Sequence, residues 1–92
     1  MASPDQVITT IMAYGLQADA DRAGAQFEWT VLRDQPDYPG QTIARFVTTH
    51  PTVYVLRADT LDEIRLLIPL GLARSERLPA DPLEVVEVWF GS

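Results

Sequence analysis

Ala25-Gln26-Phe27-Glu28-Trp29-Thr30-Val31-Leu32-Arg33 is where the chain changes period. Phe27, Trp29 and Val31 alternate with Glu28, Thr30 and Leu32, the two-residue repeat of a strand with one buried face. N-terminal to this stretch the repeat is different. Val7, Ile8, Ile11, Met12 and Leu16 recur at helical spacing, which predicts a helix over residues 4–16, fraying through 17–23 and ended by Gly24. Ser3, Pro4 and Gln6 suit its start. They supply a capping hydroxyl, a proline for the first helical position, and a side chain that reaches back to the cap's backbone N–H to complete a capping box.

C-terminal to the same stretch, residues 34–40 carry turn chemistry, with Pro39 and Gly40 suited to the two central positions of a type II turn. Residues 42–48 and 52–57 read as strands joined through Thr49-His50-Pro51, a connection short enough for a hairpin. With the first strand they form an expected antiparallel meander. Thr60 and Glu63 form a second capping box, and Leu61, Ile64, Leu67 and Ile68 make the apolar stripe of a second helix. Pro69 stops that helix near Ile68, and Gly71 fits a left-handed position beyond it. Residues 73–82, with two prolines, read as a polar loop, and residues 83–90 as a closing strand. The expectation is an α+β fold of order α-β-β-β-α-β. A four-stranded, largely antiparallel sheet is packed by two helices, in a single domain over residues 1–92.

Composition limits function. With 92 residues, 47% of them hydrophobic and 22% charged, the chain has enough apolar side chain for a packed core. There is no cysteine, which excludes disulfides and thiolate chemistry, and no signal-peptide pattern or apolar run long enough for a membrane span, so cytoplasm is the expected location. The formal net charge is −6, and the seven cations, all Arg, are scattered among acids. Such a chain repels phosphate backbones and anionic lipid, so neither nucleic acid nor membrane is expected as a partner. The α-β-β-β-α stretch shares its element order with double-stranded-RNA-binding domains. The start of the second helix, where those domains hold phosphate with basic side chains, is Asp59-Thr60-Leu61-Asp62-Glu63 here.

Ala58-Asp59-Thr60-Leu61-Asp62-Glu63-Ile64-Arg65, followed by Gly71-Leu72 and by Asp81-Pro82-Leu83-Glu84-Val85-Val86-Glu87-Val88-Trp89, resembles small bacterial proteins of uncharacterised function. The resemblance covers about the C-terminal third and implies no activity.

Chemical motifs are sparse. His50 is the only histidine, which leaves no ligand set for a structural zinc, and it reads as a solvated turn residue. Asp19 and Asp21 lack the further oxygen ligands and the placed glycine of a calcium loop. Glu28, Asp34, Asp37, Glu84 and Glu87 have no readable pairing geometry, and the glycines never cluster into a phosphate loop. No catalytic residue, metal or cofactor is assigned. The last strand carries large apolar residues on both sides: Val86, Val88 and Phe90 on one, Val85 and Trp89 on the other, with Leu83 leading in. Leu32 breaks the alternation of the first strand in the same way. Either a covering element or a bulge explains this, or Trp89, Val85, Leu83 and Leu32 contribute to a protein interface. The expected function is a protein-interaction or assembly module, as a homodimer or with another protein, acting through an apolar sheet face or an edge strand. The alternatives are a small enzyme using His50, Tyr54 and a carboxylate, and an acidic nucleic-acid mimic that occupies a basic protein.

Nucleic-acid binding is expected to be absent. Without a basic cluster there are few counterions to release, so a low-salt anisotropy titration should show no binding tighter than about 100 μM; micromolar binding that weakens steeply with salt would contradict this.

Overall fold

Trp29 has no exposed surface in the computed structural model, which describes residues 5–91. The reason is that two helices cover its face of the sheet. The elements run β1 (Gln6–Val7), α1 (Thr10–Arg22), β2 (Glu28–Leu32), β3 (Thr42–Val47), β4 (Pro51–Ala58), α2 (Leu61–Leu67), β5 (Ala73–Glu76) and β6 (Val85–Phe90). The six strands form one mixed sheet in the order β1-β4-β3-β2-β6-β5. All neighbours are antiparallel except β1 and β4, which are parallel.

The fold is α+β with two helices, and the meander β2–β3–β4 forms as the alternation predicts. The sheet is larger than four strands, however, and both additional strands lie where the sequence reads as something else. Residues 6–7 pair with Tyr54 and Val55 instead of opening a helix, and the Ile8 N–H donates to the Val55 carbonyl at 2.9 Å. α1 therefore starts at Thr10. Its cap is Thr9, whose hydroxyl accepts from the Met12 N–H at 3.3 Å. The capping box expected from Ser3 and Gln6 does not open this helix, since Gln6 lies in β1 and Ser3 lies outside the described residues. The buried stripe of α1 is also rotated from the expected one. Ala13 and Ala20 are buried with Leu16 packed beside them, whereas Ile11 is 84% exposed. The helix runs on to Arg22, beyond the expected fraying, until Gly24 turns the chain at a φ of 69°.

The second addition is β5. Residues 73–76 are an edge strand beside β6, not part of a loop. A short, charged edge strand has no apolar alternation to announce it, because one of its sides faces solvent and pairing with β6 supplies its order. α2 begins as the sequence predicts, with the Thr60 hydroxyl accepting from the Glu63 N–H at 3.1 Å.

Strand register sorts the side chains. Trp29 is opposite Phe46 on one side and Trp89 on the other, and Val31 is opposite Ala44 and Glu87. These residues share the helix-covered face, where Trp29, Val31, Ala44, Phe46, Leu56 and Ile64 form the main core. The Phe46 ring stacks on Phe27 at 5.7 Å and lies 4.9 Å from Trp29 between centroids. On the opposite face, Ile43 and Val55 form a smaller cluster under Tyr38, with Leu32 against it.

The β2–β6 register slips between Val31 and Leu32, so Leu32 is opposite Val85 and not Val86. This bulge is one of the two readings of the broken alternation in the last strand, and it corrects the expected side assignment. Val86 joins Trp89 against the helix-side core, while Val85 lines a cavity with Val88 and Phe90 on the other face.

Thr9→Ala and Thr60→Ala should each lower stability by about 1 kcal/mol, because each leaves a helix-terminal N–H without its acceptor. Chemical denaturation reads this directly, and unchanged midpoints would show that the hydroxyls do not cap.

Candidate functional site

Two ion-pair networks, one on each side of the sheet, decide which surfaces stay open. On the helix side the pleat of β6 turns the Glu87 carboxylate inward, where the residue is 2% exposed. Arg65 of α2 answers it with two bonds: Nε donates to Oε2 at 3.0 Å and Nη2 to Oε1 at 2.6 Å. The Trp89 indole N–H donates to Oε2 at 2.6 Å, and Arg74 Nη1 on β5 lies 3.5 Å from Oε1. Burial pushes the Glu87 carboxyl up, but the bonds from Arg65 and Trp89, with the charges of Arg65 and Arg74, outweigh it and hold the pKa below the ordinary value. The bonds to Glu87 in turn raise the Arg65 pKa. Nearby, Trp29 Nε1 donates to Gln17 Oε1 of α1 at 2.8 Å, so the one polar atom of the central indole is satisfied from the helix layer.

On the opposite face Arg45 of β3 holds Asp5 with two parallel bonds of 2.8 Å, the forked geometry that guanidinium and carboxylate share. Tyr38 donates to the same carboxylate at 3.0 Å, and Arg45 Nη1 also donates to the Thr52 carbonyl. These bonds tie the segment before β1 and the β2–β3 turn over β3 and β4. The outer face is thus closed on that half and stays open over β2, β6 and β5.

Two cavities occupy the open half. One of about 440 Å³ lies between Phe27, Glu28, Val47, Phe90 and Gly91. The other, of about 290 Å³, is walled by Thr30, Val85, Val88 and the loop at Leu78 and Asp81. Glu28 and Phe90, opposite each other in the β2–β6 pairing, line both cavities, so the two adjoin at this pair to make up the candidate groove. Asp81 builds the wall: its Oδ2 accepts from the Leu78 N–H at 2.8 Å, and its carbonyl accepts from Arg77 Nη2. Glu28 and Asp81 place two carboxylates along the groove, with Val88, Phe90 and Leu78 between them, while Glu76 borders it from the edge strand and is opposite Glu87 on the helix-side face. A cavity of about 430 Å³ beside α2 and one of about 240 Å³ near the end of α1 are separate.

The residues singled out in sequence do not meet in one place. Trp89 is half-buried on the helix side, its N–H committed to Glu87. Leu32 and Val85 lie together on the other face, Val85 buried and Leu32 half-buried. Leu83 is 74% exposed in the turn before β6. His50 is exposed in the β3–β4 hairpin and lines none of the four cavities, while Tyr54 packs against the helix-side core. Asp19 pairs with Arg22 one turn along α1, and no cluster of three metal-ligating side chains occurs among the described residues. No described helix is long and apolar enough to cross a membrane. Sequence reasoning missed the roles of Asp5 and Arg45, which are 40 residues apart with no motif linking them. It named Glu28 and Glu87 as acids without seeing that one lines a groove and the other is neutralised internally.

No family model, no curated protein and no solved structure matches the chain.

The depressed Glu87 pKa fixes the sign of a pH effect. A carboxyl held below its unfolded value contributes stability that is fully present above the ordinary value of 4.5 and is lost as pH falls through the folded value. Glu87→Gln should cost about 1–3 kcal/mol at neutral pH, since charged hydrogen bonds are replaced by weaker ones. The variant should also lose less stability than the parent chain below pH 4.5. Urea midpoints measured across acid pH test this, and parallel curves for the two chains would count against the Glu87 network.

Proposed function

We propose that the chain is a protein-interaction module that receives an extended, cationic and apolar segment of a partner along the open sheet face. The observation that carries this reading is the meeting of two cavities at Glu28 and Phe90 on the half of the face that Asp5, Arg45 and Tyr38 leave uncovered. Val85, Val88 and Phe90 give the groove apolar surface and the carboxylates of Glu28 and Asp81 stand along it, with no arginine in its lining. Apolar contact supplies the gain from removing surface from water, and the carboxylates select a guanidinium or ammonium group by charge. The net charge of −6 favours the approach of such a segment.

This keeps the apolar sheet face expected from sequence but places it opposite Trp89, on the side of Val85, Val88 and Phe90. The enzyme reading needed a concave pocket with His50 beside a carboxylate, and the position of His50 in the exposed hairpin offers it no support. A nucleic-acid mimic needs its acids ranked along one face, whereas Asp5 and Glu87 are consumed in internal ion pairs.

Titrating isotope-labelled protein with the peptide acetyl-Leu-Arg-Leu-Arg-Leu-amide tests the reading. Amide shifts are expected at Thr30, Val88 and Phe90, weakening as salt screens the carboxylates. Glu28→Gln should weaken binding by about threefold to tenfold, the range a single partly exposed charge pair supplies. Shifts confined to other surfaces, or equal affinity in the variant, would overturn the groove as the working surface.

A further inference from the structure

Glu76 is in an unfavourable position that the single chain does not relieve. It lies directly opposite Glu87 in the β5–β6 pairing, and like charges at directly opposed positions repel. Glu87 is neutralised by Arg65 and Arg74, but among the described residues no cation lies within ion-pair distance of Glu76. Glu76 is on the last strand of the sheet, and β5 has a neighbour on one side only. Arg74 stands two positions before it, hence on the same face, with a side chain 45% exposed. Ser75 lies between them.

We propose that two copies of this chain join edge to edge through β5, antiparallel, about a two-fold axis that passes at Ser75. An antiparallel strand pair centred on one residue puts that residue opposite itself and exchanges its two neighbours. Arg74 of each copy then faces Glu76 of the other, and this occurs twice because the interface is isologous. Each Arg74 bridges its own Glu87 and the partner copy's Glu76, which turns the repulsive cross-strand pair into an alternating row of charge. The unpaired edge groups of β5 gain ladder bonds, and the two six-stranded sheets become one continuous sheet. Any other register loses the exchange: a shift of two residues sets Arg74 opposite Arg74 or Glu76 opposite Glu76. The occupant is a second copy because the charge pattern of the strand complements itself. Four residues of ladder make a small interface, so the dimer is weak, with a Kd on the order of 100 μM. Ser75 and Glu76 also border the groove, but the inference concerns the edge of β5 and its test requires no peptide, so its failure is distinguishable from failure of the groove reading.

The test is sedimentation equilibrium of the full chain up to about 1 mM, with three variants, in the absence of peptide. The parent chain should show a monomer–dimer equilibrium. Glu76→Arg relieves the repulsion from Glu87 within the chain but sets Arg against Arg74 of the partner copy, and should raise the Kd by about tenfold over the two symmetric sites. Arg74→Glu combined with Glu76→Arg restores opposite charges in the same register and should return the Kd towards that of the parent. Ser75→Cys introduces the only thiol of the chain. Directly opposed residues are about 4.5–5.5 Å apart at Cα, within disulfide range, so this variant should oxidise to a covalent dimer. A parent chain monomeric at every concentration, a dimer that Glu76→Arg does not weaken, or a Ser75→Cys chain that stays monomeric under oxidant would each overturn the proposal.

Discussion

A carboxylate buried between a helix and a sheet has to be neutralised, and meeting that demand at Glu87 draws on three elements at once. Leaving an ion of this kind unpaired costs several kcal/mol, more than a third of what holds a small domain together. Arg65 supplies two bonds from α2, Arg74 adds charge from β5, and the neighbouring Trp89 donates its indole N–H. The azimuth of α2 is therefore set by more than its apolar stripe. Ile64 must be in the core while Arg65, one position on, points at β6. Hydrophobic burial pins the helix to the sheet, and the ion pair selects its rotation.

The outer face follows a related rule with a different result. Asp5 and Arg45 form a bidentate pair with Tyr38 bonded to the same carboxylate, and these three residues come from the segment before β1, from β3 and from the β2–β3 turn. They close the face over Ile43 and Val55. The half over β2, β6 and β5 has no equivalent clasp, and Asp81 orders the adjacent loop into a wall and not a lid. The groove is what remains of the outer face after the Asp5–Arg45 clasp has closed the rest.

How far the sequence was readable varies element by element. The strand at Glu28–Leu32, the meander that follows and the Thr60 cap all rest on interactions within a few residues, where period and capping chemistry are direct signals. α1 was displaced because Val7, Ile8, Ile11 and Met12 imitate a helical stripe, although the first two belong to a strand segment and its edge. The true stripe is built from small residues, Ala13 and Ala20, which carry almost no hydrophobic period. β5 was missed because an exposed edge strand resembles a loop. The last strand's apolar excess was noticed in sequence, but its side assignment depended on a bulge that only pairing with β2 creates. The candidate groove was hardly legible: its lining comes from four separate stretches, and Glu28 looked like an ordinary solvated strand residue.

By itself, then, the sequence determined the α+β class, the central meander, the starts and stops carried by Thr60, Pro69 and Gly24, and the acidic, cysteine-free character that narrows its partners. These are properties of neighbouring residues or of composition, and no other part of the chain is needed to read them. The tertiary structure alone decided that Gln6 and Val7 join β4, that α1 packs on its alanines, that Glu87 is neutralised by Arg65, and that Asp5 and Arg45 close half of the outer face. Each of these depends on groups brought together from distant positions, where the burial of one charge obliges another to meet it. A linear pattern of hydrophobicity contains no record of that obligation, because it appears only when the chain has folded and water has been excluded.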